Sequence, residues 1–76
     1  MPVLVRLQRC TITMYAADHA PPHFHVRTHD GREALVEIRT LRVLSGAIRR
    51  KELADALAWA QTRTNALIAK WQELNP

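Results

Sequence analysis

The chain has 76 residues, 47% of them hydrophobic and 24% charged, with one cysteine and a formal net charge of +4. That length sets a single domain, residues 1–76, whose core is too small for high stability unless a metal, a partner or a second copy adds to it. Cys10 alone excludes an intramolecular disulfide scaffold, and no apolar run or leader pattern marks a membrane span or signal peptide, so a cytoplasmic location with no membrane partner is expected.

The first segment, "PVLVRLQ", alternates with Val3, Val5 and Leu7 on one side, which is a strand pattern. In "CTITMY" the apolar positions are Cys10, Ile12 and Met14. The apolar parity changes from odd to even between the two, which predicts a tight turn or bulge at Gln8-Arg9. "AADHAPP" is a loop, because Pro21 and Pro22 cannot donate to a ladder and disfavour helix before them. "HFHVRT" is the next strand, with Phe24, Val26 and Thr28 on one face and His23, His25 and Arg27 on the other.

Asp30-Gly31 supplies the turn into "EALVEI", whose Ala34, Val36 and Ile38 face inward. A two-residue loop would put His25 on the apolar face. A three-residue loop, Asp30-Gly31-Arg32, sets Phe24 opposite Ile38, Val26 opposite Val36 and His25 opposite Glu37, and keeps that face apolar. "LRVL" adds a short edge strand before Ser45-Gly46.

From about Arg49 to Leu74 the pattern turns helical, with Leu53, Leu57, Ala60, Thr64, Leu67, Trp71 and Leu74 at spacings of three and four. One continuous helix of about 39 Å would overhang strands of about 20 Å. Trp59 falls off this stripe beside Ala56 and Ala66, either as core or as a surface for another helix. The expected fold class is α+β: a small antiparallel β-meander of three to five strands with one long C-terminal helix packed on one face.

The residues of "MYAADHAPPHFHV", an acidic-apolar strand, "LRVLSG" and "ALAWA" resemble the small bacterial family catalogued as domain of unknown function 4160, from Pro2 to about Trp71. The pattern maps onto Asp18, His19, Pro21, Pro22, His23, Phe24 and His25, and onto Trp59 in the helix; Arg49 stands where a proline is expected at the helix start. The resemblance implies short cytoplasmic proteins, often encoded beside another small protein in the manner of toxin–antitoxin components. It implies no catalytic activity.

Three chemistries fit the histidines. The first is metal binding without any other cofactor: His23 and His25 leave one strand face together, and His19 or Asp18 supplies a further ligand to an ion such as zinc, with Glu37 orienting His25. The second is RNA contact, with His23, His25, Arg27, Arg39 and Tyr15 on one face. Of the eleven basic residues only Lys51 and Lys70 are not arginine, and a guanidinium fork suits phosphate, although a GC-rich coding bias would write the same residues. In that setting His23 and His25 are candidate catalytic acid and base of a metal-independent ribonuclease. The third is a polar turn and strand face with no ligand.

A separate feature is the helix start, where Arg49, Arg50 and Lys51 oppose the macrodipole and Ile48 caps poorly: an anion would suit both defects, but a solvated, slightly frayed helix end is the expected state. Binding of a small protein encoded by a neighbouring gene is the expected function, and a homodimer is compatible with it. RNA-directed binding or catalysis and divalent-metal binding are the alternatives.

Overall fold

The computed structural model describes residues 3–76; Pro2, where the resembling stretch begins, lies outside the described residues. Five strands form one antiparallel meander in chain order: β1 (Val3–Arg6), β2 (Cys10–Thr13), β3 (His23–Thr28), β4 (Glu33–Glu37) and β5 (Val43–Gly46). The parity change between the first two strands is absorbed twice. A turn closes at Gln8-Arg9, where the Leu7 amide donates to Cys10 O at 2.7 Å, and the β1–β2 register shifts between Val3 and Val5.

The β3–β4 register differs from expectation by two residues. Phe24 pairs with Val36, Val26 with Ala34 and His25 with Leu35. The loop does have three residues, but they are His29, Asp30 and Gly31: the Thr28 amide donates to Arg32 O and the Gly31 amide to Thr28 O. Gly31 takes the positive φ of 90° that this hairpin needs. Thr28 and Asp30 fix the choice, because Asp30 accepts the Thr28 hydroxyl and the Arg32 guanidinium. A shift of two keeps side-chain parity, so Phe24, Val26, Ala34, Val36 and Ile38 are all buried, as the pattern requires.

The single long helix is instead two, α1 (Arg50–Ala60) and α2 (Thr64–Leu74). No Gly or Pro marks the break; Arg63 makes it. Its guanidinium donates to Trp59 O at 2.7 Å, capping the end of α1, and lies 4.9 Å over the Trp59 ring. A straight helix would carry its last turns past the sheet edge. Two shorter ones return Leu67 and Trp71 to the core, inside a molecule 32 Å in its longest dimension. Trp59 is half-buried against the same core.

The start of α1 is neither frayed nor in need of an external anion. Glu52 accepts the Arg49 amide at 2.9 Å and also the Arg32 guanidinium at 3.1 Å, so the chain supplies its own anion there. Arg9 pairs with Asp55 at 3.1 Å. These two bridges pin α1 to the β1–β2 and β3–β4 turns at one end of the sheet. The β2–β3 loop and the last turn of α2 meet at the other end, where His19, His23 and His25 lie.

Candidate metal centre

The loop after β2 is fixed by the end of α2. The Asn75 carboxamide accepts the Asp18 amide at 2.7 Å and donates to Tyr15 O and Trp71 O. Ala17 turns the chain with a φ of 57°, and the Asp18 carboxylate accepts the following amide, of His19, at 2.9 Å. Asp18 Oδ1 is therefore occupied by its own loop, while Oδ2 turns to the strand. It lies 3.0 Å from His23 Nε2 and 3.2 Å from His25 Nε2.

The outer nitrogens of both rings are also engaged. His23 Nδ1 is 2.8 Å from Pro21 O, which can only accept, so Nδ1 carries the proton. In the neutral ring Nε2 is then an acceptor. It is buried, without a hydrogen-bond partner, and its nearest polar neighbour is another acceptor, the Asp18 carboxylate. The 3.0 Å approach of the two is too oblique to be a hydrogen bond. Two lone pairs brought together in a buried place repel unless a proton on Nε2 or a metal ion lies between them, so the pair is a place for a cation of either kind. His25 Nδ1 points to Glu33 Oε2 at 3.3 Å, a carboxylate behind a potential ligand.

The spacing has a quantitative meaning. Two donors each about 2.1 Å from a shared ion stand about 3.0 Å apart at a right angle and about 3.4 Å apart at the tetrahedral angle. The Asp18–His23 and Asp18–His25 separations fall in that range, and one ligand atom from each of the three residues lies within 4.8 Å of the others. Burial alone would raise the Asp18 carboxyl. Hydrogen bonds from His25 and the His19 amide, with the charges of His23 and His25, outweigh it and hold the carboxyl below its ordinary value. It is thus ionised, as a ligand must be.

The remaining candidates sit as follows. His19 is nearly all exposed, with Nδ1 3.3 Å from Asp18 Oδ1, and stands outside the converging set. Tyr15 packs edge-on to the His25 ring at 4.6 Å. Arg27 is exposed and pairs across the ladder with Glu33. Arg39 lies beyond β4 at the opposite end of that hairpin, about 20 Å along it, so the two arginines do not form one phosphate surface. His23 is almost wholly buried, leaving little of that ring to meet a polymer substrate.

Three participants escaped sequence reasoning. Glu33, not Glu37, backs His25, because of the two-residue register shift; Glu37 instead accepts the Thr40 hydroxyl. Trp71 packs its ring 5.1 Å from His23, and Asn75 anchors the loop. On the sequence alone the site is expected on the sheet face away from the helix; the contacts of Trp71 and Asn75 bring the end of α2 against it instead. No local pattern could have shown these long-range contacts.

One family model, described as a domain of unknown function (DUF4160), matches residues 10–72. No curated protein and no solved structure matches the chain.

Proposed function

The chain belongs to the family described as a domain of unknown function (DUF4160), a description that carries no chemistry, and we propose from the site itself that this protein is a divalent-metal-binding module. Asp18, His23 and His25 are its ligands. The observation that carries this reading is His23 Nε2: buried, without a hydrogen-bond partner, and 3.0 Å from a carboxylate oxygen. Zinc suits two imidazoles and a carboxylate, and other first-row ions suit them too. Titration calorimetry with zinc and nickel should give one site per chain, lost in Asp18→Ala, His23→Ala and His25→Ala. Equal binding by all three variants, or none by the wild type, would overturn it.

A second reading keeps the expected protein partner, in the manner of a toxin–antitoxin pair, and it has an observation of its own. Strand β5 is the outer edge of the sheet, with Val43 and Leu44 each more than 40% exposed. An open edge with apolar side chains is a place for another chain to add a strand. Co-expression with the neighbouring small protein should yield a complex that Val43→Lys weakens.

A further inference from the structure

We propose, building on the metal-binding reading, that the ion held by Asp18, His23 and His25 keeps a coordination position open to a small oxygen-donor anion, which enters beside Asp18. The ligand count comes first. Among the described residues three ligand atoms converge, and each nearby candidate for a fourth is committed elsewhere. His19 turns its ring to the far oxygen of Asp18 and lies in solvent. Glu33 is held on the outer nitrogen of His25. Cys10 lies at the other end of the sheet, opposite Thr28, with its thiol against Glu52 O. Ions closed by four protein ligands serve structure, whereas three ligands leave room for water or substrate.

Burial then gives the direction. The side chain of His23 is 2% exposed and walled by Trp71, while Asp18 is 17% and His25 13% exposed. Asp18 is thus the most exposed of the three ligands. A cleft of about 540 Å³ opens onto Asp18, lined by Ala16, Ala17, Ala20 and Trp71 among others. That volume suits a small molecule. The alanines leave space, and among the described residues Asp18 is the only charged side chain lining the cleft. A divalent ion with one carboxylate ligand keeps a formal charge of about +1, which favours an anionic donor such as a carboxylate or hydroxamate.

Cobalt(II) titrated into the full chain, followed by acetohydroxamate, tests this. Cobalt should bind with a visible ligand-field spectrum, and acetohydroxamate should change that spectrum saturably at one per ion. Ala16→Phe, which narrows the cleft but touches no ligand, should leave cobalt affinity unchanged and weaken acetohydroxamate by about tenfold or more. If cobalt does not bind, the metal reading fails and this proposal with it. If cobalt binds but its spectrum ignores acetohydroxamate, the coordination shell is closed and only this proposal is overturned. A full response in Ala16→Phe overturns the cleft as the route.

Discussion

At the scale of single residues, the site depends on groups that hold other groups. Pro21 O fixes the tautomer of His23, and Glu33 faces the outer nitrogen of His25. Removing such a backing carboxylate typically lowers metal affinity about 10–100-fold, and Glu33→Ala is expected to do so by calorimetry, while Glu37→Ala leaves affinity unchanged. Asp30 governs a different property. Bonds from the Thr28 hydroxyl and the Arg32 guanidinium hold its carboxyl down at about 2. The unfolded carboxyl titrates near 3.9, so the unfolded chain takes up the proton first as pH falls. The stability that Asp30 contributes is present above about pH 4 and is lost between there and about pH 2. Asp30→Asn should flatten that part of the acid denaturation curve without altering metal binding.

At the scale of elements, α2 and β5 make the clearest predictions. Trp71 is 6% exposed and touches both the core and His23. Trp71→Ala should destabilise by about 3–5 kcal/mol in urea titration, and an unchanged midpoint would contradict the packing. Gly46 has a φ of 84°, and a Cβ there would stand 2.2 Å from Glu33 O. Gly46→Ala should cost more than about 1 kcal/mol and disturb β4 at Glu33, a change readable as a loss of metal affinity. The strands were legible in the sequence because alternation in "HFHVRT" and "EALVEI" fixes which side chains face inward. Pairing two residues out of place preserves that alternation, so the pattern could not separate Glu33 from Glu37 as the neighbour of His25. The helix break was illegible for a related reason. Gln61, Thr62 and Arg63 carry no breaker, and the interruption arises from Arg63 folding back onto Trp59. Of the site, the cluster of Asp18, His23 and His25 could be read from "DHAPPHFH"; Trp71 and Asn75 come from nearly the other end of the chain.

At the scale of the whole molecule, a sheet covered on one side by two short helices has little stability in reserve. A bound ion adds to it by mass action: at a free concentration of about 100 times Kd the gain is about 2.7 kcal/mol. For a domain of this length each kcal/mol raises the melting temperature by about 4–8 °C, so saturating zinc should shift it by at least about 10 °C, and His23→Ala should abolish the shift. The tie between Asn75 and the Asp18 loop also has an entropic side. The bond from the Asp18 amide spans 57 positions of sequence, and the one from Asn75 to Tyr15 spans 60. Closing contacts of such long range costs more chain entropy than closing the short span from Asp18 to His25 that carries the proposed ligands. Full ordering of the Asp18 loop thus depends on the last turn of α2, and a chain ending before Asn75 should bind zinc more weakly than the full chain.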